Sequence, residues 1–283
     1  MTRYLIVGSG GMLGQDLLVA LAGRDVTALS RESLDISSAP DVERAVVGHD
    51  VVLNAAGYTK VDLAETHEED AFLVNAIGAE NLATAAASTG ARLVHISTDY
   101  VFDGDGIAPY REDSPLDPRG AYGRSKAEGE RRVRAALADS IILRTAWTYG
   151  RYGQNFVSTM LRLASERDTV DVVDDQRGQP TWTRDLAERI VEMLDGAVVG
   201  GIYHGTNSGS ATWFEFAREI FRLAGLDPER VRPTSSANFV RPAPRPAYSV
   251  LAHDGWAATG LPPMRSWQDA LSASFASGAV GNP

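Results

Sequence analysis

YLIVGSGGMLG, residues 4–14, is the stretch from which the fold can be read. A short apolar run ends in Gly8, Gly11 and Gly14, and Leu13, Leu17, Leu18 and Leu21 then recur at helical spacing. The order is strand, tight turn, helix. In that context the glycines let backbone approach a pyrophosphate, which rests on the free amides and positive dipole end of the helix. Gly8, Gly11 and Gly14 are therefore candidates for binding a dinucleotide.

Working outward, strands are expected at 26–29, 51–53, 92–96, 141–143 and 170–173. Helices are expected around 42–47, over an Ala-rich stretch at 69–87, around Tyr122, and at 156–164. Strands alternating with helices imply an α/β fold, a Rossmann-like doubly wound parallel sheet covered on both faces. The strand order 3-2-1-4-5-6 is expected, which would set strands one and four side by side at the switch point. After about residue 175 the rhythm loosens: a helix at 185–194, a strand at 202–204, a helix at 212–224 with Thr212 as N-cap, then a Pro-rich segment, 232–246, that cannot be regular throughout. Residues 1–150 are expected to form the dinucleotide-binding domain with the catalytic residues. Residues 151–283 should form mostly a small substrate-binding lobe, with some elements returning to the main sheet.

Composition narrows the class. The 283 residues are 44% hydrophobic and 23% charged, ordinary for a soluble globular chain. No apolar stretch approaches a membrane span, and the N-terminus lacks a signal-peptide layout, so a cytoplasmic enzyme with no membrane partner is expected. There is no Cys, hence no disulfide and no thiolate metal site, and the five His residues show no ligand spacing. A formal net charge of −10 argues against a nucleic-acid partner.

The residue ending the second strand selects the cofactor. An acid there favours NAD, whereas Arg accommodates a 2′-phosphate. Here Ser30-Arg31 follow the strand, so NADPH is expected over NADH.

The fourth strand runs into Ser97-Thr98-Asp99-Tyr100, and Tyr122-x-x-x-Lys126 follows. On a helix, Tyr122 and Lys126 share one face. Reduction of a ketone leaves charge on oxygen, which needs a hydrogen-bond donor and an acid. Thr98 suits the first role and Tyr122 the second, with the Lys126 ammonium expected to draw the phenol pKa down. Only two lysines occur in the chain, so the Tyr–Lys pairing is not a compositional accident. Asn54-Ala-Ala-Gly57, after the third strand, offers small residues where a cofactor would lie along the backbone.

These features resemble the extended short-chain dehydrogenase/reductase superfamily and, within it, the branch of dTDP-4-dehydrorhamnose reductases. The resemblance runs through GSGGMLGQ (8–15), LNAAGYTKVDLAE (53–65), HISTDYVFDG (95–104), YGRSK (122–126), RTAWTYG (144–150), DDQRGQPT (174–181) and RPAPRPAYSVL (241–251). It implies reduction of the C4 ketone of dTDP-4-dehydro-L-rhamnose to dTDP-L-rhamnose, with a dTDP-sugar as substrate. By resemblance Tyr122 is the proton donor, Lys126 binds the nicotinamide ribose, Thr98 and Asp99 contact the sugar, and Trp147 lies against it. Gly11, Met12, Leu13, Asp35, Ile36, Ala56, Gly57 and Tyr58 match cofactor-contact positions. Some members hold an acid just after the last glycine and use it in a magnesium-bridged dimer. Gln15-Asp16 stand there instead, which leaves Mg2+ and a homodimer open. Two other readings remain. Another dTDP-4-dehydro-6-deoxyhexose is one, and a non-catalytic NADP-binding regulatory subunit is the other, although an intact Thr98, Tyr122 and Lys126 argues against it. The dehydratases of the superfamily carry Glu where this chain has Tyr100, which tells against elimination chemistry.

Overall fold

The computed structural model describes residues 1–280. Six parallel strands form the central sheet: β1 (Arg3–Val7), β2 (Asp25–Leu29), β3 (Val51–Asn54), β4 (Arg92–Thr98), β5 (Ile141–Thr145) and β6 (Gly201–His204). Side chains alternate across the sheet, so Tyr4 and Ile6 face one side and Leu5 and Val7 the other. The first side is covered by α1 (Met12–Ala20) and, from late in the chain, Thr183–Asp195, through Leu17, Leu186 and Ile190. The second is covered by α2 (Ala39–Val46), α3 (Ala79–Thr89) and α4 (Ala121–Ala136), through Val42, Leu82 and Val133. Both faces are thus buried, as a parallel sheet requires. No helix among the described residues is long and apolar enough to cross a membrane.

The strand order differs from the expected one. It is 2-1-3-4-5-6, with β3 between β1 and β4. The reason is legible in the strands themselves. Val51-Val-Leu-Asn54 is buried at every position and must be interior, whereas β2 is largely exposed and serves as the edge. The chain therefore turns back past β1 after α2, and the topological switch lies between β1 and β3. Strands one and four are not neighbours.

Two further elements depart from expectation. The Ala-rich stretch is not one helix: Glu68–Phe72 leads into a π-helical segment, Leu73–Gly78, and only then into α3. The strand Val170–Val173 does not enter the main sheet and pairs with Val231–Thr234. Its neighbours build a second core, with Tyr149, Val157, Trp182, Phe216, Phe221 and Trp267 as its larger members. The expected N-cap at Thr212 is present as a capping box with Glu215, opening the helix Trp213–Leu223.

Candidate active site

The glycine turn leaves β1 at the switch point, where β2 lies on one side and β3 on the other. Gly8 has φ +83°, and a Cβ there would lie 2.5 Å from the Ala56 amide, so only glycine lets the turn after β1 pass the Asn54–Gly57 loop. That loop is held from beneath: Asn54 Oδ1 accepts from the Ala56 amide at 3.1 Å, and its amide nitrogen meets Nδ1 of the buried His95 at 2.9 Å. Helix α1 starts at Gly11 with no side-chain cap and no acid in its first turn. Its first amides are open to an anion, so turn and helix fit the pyrophosphate of a dinucleotide.

A cavity of about 620 Å³ begins at this turn and extends over the ends of β3, β4 and β5. Of the sequence candidates, Gly11, Met12, Leu13, Ala56, Gly57, Tyr58, Thr98, Asp99, Tyr122, Lys126 and Trp147 line it. Gly8 and Gly14 support the turn without lining the cavity. Ser30 and the exposed Arg31 stand at the end of β2, where Gly8 and Ser9 donate their amides to Leu29. Asp35 accepts from the Ser37 amide and hydroxyl, which caps the turn and lowers its pKa. The Ile36 side chain is buried against Gly78.

Thr98 is the last residue of β4 and is the register partner of Thr145 of β5. Its hydroxyl donates to Asp99 Oδ1 at 2.9 Å and accepts from the Tyr100 amide at 3.2 Å. Burial pushes the Asp99 carboxyl up to about 6, against the hydrogen bonds from Ser249 and Thr98 that favour its charge. Tyr122 lies on α4, its ring steeply inclined to that of Tyr100 with centroids 5.6 Å apart.

The expected effect of Lys126 on Tyr122 is not what the geometry gives. The phenol is pushed up to about 12 by burial, with a Thr98 hydrogen bond opposing and the Asp99 charge adding to the rise. Lys126 turns its Nζ to the Ile96 carbonyl at 2.5 Å. Its own pKa falls to about 8 through burial, opposed by the charge of Glu130. Tyr122 is thus held neutral at ordinary pH.

Three residues of this region escaped the sequence reading. Asn75, in the π-helical segment, accepts from the Tyr58 amide at 2.8 Å and donates to the Tyr58 carbonyl and to Ser125 Oγ, so it ties the cavity wall to α4. Glu130 continues the Tyr122–Lys126 face by another four residues, a spacing that could have revealed it. It receives Ser97 Oγ at 2.5 Å and the Arg144 guanidinium at 2.8 Å, all three side chains being buried. Trp213 lines the cavity from the second core, and nothing local in the sequence signals that.

The DDQRGQPT segment stands behind Trp147 and does not itself line the cavity. Asp175 accepts from Ser235 and Ser236, and Gln179 exchanges two hydrogen bonds with the Leu251 backbone. Gly178 leaves space for an indole, since a Cβ there would overlap the Trp147 ring. As for a cation, Asp16 is buried and bonded to Thr183, while Gln15 donates to the Ser9 carbonyl. Among the described residues no group of three or more acids or histidines could hold a metal ion.

The family model described as "RmlD substrate binding domain" matches residues 2–279. Over 96% of this chain and 94% of its own length, a Streptomyces antibioticus protein described as "Probable dTDP-4,6-dihydroxy-2-methyloxan-3-one 4-ketoreductase" is 51% identical. A dTDP-4-dehydrorhamnose reductase of Streptomyces griseus is 50% identical over 99% of this chain and 96% of its own. The crystal structure of dTDP-4-dehydrorhamnose reductase from Bacillus anthracis, in complex with NADP, superposes with a TM-score of 0.94 at 40% identity, covering 98% of this chain and all of that one.

Proposed function

The chain belongs to the RmlD substrate binding domain family, and from that premise we propose that it is an NADPH-dependent reductase converting dTDP-4-dehydro-L-rhamnose to dTDP-L-rhamnose. One observation carries the reading: a single cavity is lined by the glycine turn, by Thr98, Tyr122 and Lys126, and by an aromatic wall. Cofactor and carbonyl chemistry would share that space.

NADPH, when bound, supplies the hydride. The residues do the rest. Tyr122 donates its phenolic proton to the C4 oxygen as negative charge develops there, and an alkoxide is basic enough to take it. Thr98 holds the same oxygen. Its one proton points to Asp99 in the structure, so a rotation of the hydroxyl redirects it to the ketone, leaving Asp99 as acceptor for a sugar hydroxyl. Lys126, lying beneath, would donate to the nicotinamide ribose.

The direct test is NADPH oxidation by the purified protein with dTDP-4-dehydro-L-rhamnose, with the product identified. Turnover to dTDP-L-rhamnose supports the reading. NADPH binding without turnover of this sugar would sink it and favour the second reading, another dTDP-4-dehydro-6-deoxyhexose, to which the likeness to the Streptomyces antibioticus protein points.

Two predictions follow from the cofactor side. Arg31 is exposed at the end of β2, with Asp35 near enough for the Arg31 charge to help lower its pKa. Arg31→Ala should weaken NADPH about 10–100-fold, the loss of a charge-assisted contact to the 2′-phosphate, and leave NADH unchanged. Titration of both cofactors by fluorescence checks it; equal losses would remove Arg31 from the 2′-phosphate.

The second is a pH dependence. Because its folded pKa lies near 8, Lys126 carries charge below that pH and loses it above. NADPH affinity should fall as pH rises through about 8, and Lys126→Met should flatten the profile. On stability the sign is opposite. A folded pKa below the ordinary 10.5 means the buried charge costs stability at neutral pH, and that cost fades as pH rises through 8 toward 10.5.

A further inference from the structure

Trp147 has φ +45°, in the left-handed region that a bulky side chain rarely adopts. It lies just beyond β5, two residues after Thr145, whose register partner on β4 is Thr98. Such a conformation persists only where the surroundings hold it. The Trp213 ring lies flat on that of Trp147, with centroids 3.5 Å apart and planes 7° from parallel. Gly178 yields the space the Trp147 ring needs on the wall.

Trp213 is itself held from outside the main sheet. It is the first residue of its helix, next to the Thr212–Glu215 capping box. The Thr212 hydroxyl also donates to Asp174 at 2.6 Å, and Glu215 pairs with Arg177 at 3.1 Å. Phe156 packs obliquely on the Trp213 ring at 4.5 Å. The second core therefore places a rigid indole over a residue from the end of the sheet. Both rings line the cavity.

We propose that Trp213 is a substrate-positioning residue, which with Trp147 forms a two-indole wall against which the apolar C–H face of the hexose packs. The assignment to the hexose, and not to the nucleobase, follows from place: neighbouring strands lie about 4.8 Å apart, so the wall stands close to Thr98 and the reacting ketone. With their facing surfaces covered by each other, the two indoles present an apolar rim, which suits a 6-deoxy sugar whose ring face and methyl group offer only C–H. Trp213 also keeps Trp147 in its left-handed conformation, so its loss would misplace both halves of the wall. The inference rests on the dTDP-4-dehydrohexose reading above.

The test compares wild type, Trp213→Phe and Trp213→Leu by near-ultraviolet circular dichroism, NADPH affinity, and KM and kcat for the sugar nucleotide. Two indoles stacked at this distance couple, and that coupled signal should vanish in both variants. Trp213→Leu should raise KM about tenfold or more with a smaller change in kcat and with NADPH affinity unchanged, and Trp213→Phe should recover much of the KM. An unchanged KM in Trp213→Leu, with the coupled signal gone, would overturn the proposal. So would a parallel loss of NADPH affinity, which marks general collapse of the lobe. Wild type that binds NADPH but reduces no dTDP-4-dehydrohexose refutes the substrate reading first, and this inference with it.

Discussion

Tyr122→Phe is expected to lower kcat by roughly 10²–10⁴-fold, the contribution of a positioned general acid, while NADPH affinity changes little. The substitution removes one oxygen and keeps the ring, so the edge contact with Tyr100 at 5.6 Å and the course of α4 are preserved. What is lost is the phenolic proton. The remaining donors have other places: the Thr98 hydroxyl, now directed to Asp99, would hydrogen-bond the ketone oxygen without giving up its proton, and Lys126 Nζ is directed to the Ile96 carbonyl. Because burial holds the phenol near 12, wild-type activity should show no loss from tyrosine ionisation below about pH 11. Steady-state kinetics of the variant, with cofactor titration alongside, decide the matter. Full activity in Tyr122→Phe would remove Tyr122 from proton donation.

The largest effect on stability is expected at Arg144. Its guanidinium meets Glu130 through bonds of 2.8 and 3.0 Å, and Arg144 is 1% and Glu130 3% exposed. Arg144 also donates to the Glu112 carbonyl and lies over the Phe102 ring at 5.0 Å. Arg144→Ala leaves a buried carboxylate without its partner, which costs about 3–5 kcal/mol. For a chain of this size the melting temperature should drop by roughly 6–20 °C, at about 2–4 °C per kcal/mol. Replacing both members, Arg144→Met with Glu130→Met, removes the stranded charge and should recover most of that loss. Thermal unfolding of wild type and the two variants checks this; a double variant no more stable than Arg144→Ala would show that the stranded charge is not the source of the loss. The double variant has a second consequence. Without the Glu130 carboxylate the Lys126 pKa falls further below 8, so the fall of NADPH affinity should begin at lower pH.

The sheet, its two helical layers and the glycine turn were legible because each rests on a local pattern: a continuous apolar run for a strand buried on both faces, a 3.6-residue period for a covering helix, glycine where backbone must approach backbone. Thr98, Tyr122 and Lys126 could be picked out for a similar reason, by residue type and i,i+4 spacing, and all three line one cavity. The strand order was not. It depends on which edge of β1 the chain returns to after α2, and the contrast between the buried β3 and the exposed β2 decides that only when both compete for the interior. The break at Leu73–Gly78 was hidden too, because Ala-rich helix propensity says nothing of the Asn75 side chain that must reach Tyr58 and Ser125.

From its sequence alone, then, this protein has its fold class, its glycine turn and its hydroxyl, phenol and ammonium. Only the tertiary structure decided that Tyr122 is buried, which raises its pKa, that Glu130 and Arg144 form a closed ion pair, and that Trp213 lies on Trp147. Residue type and spacing are properties of neighbouring positions along the chain. Burial, charge pairing and ring stacking depend on which distant segments are pressed together, and the hydrophobic packing of the whole chain settles that.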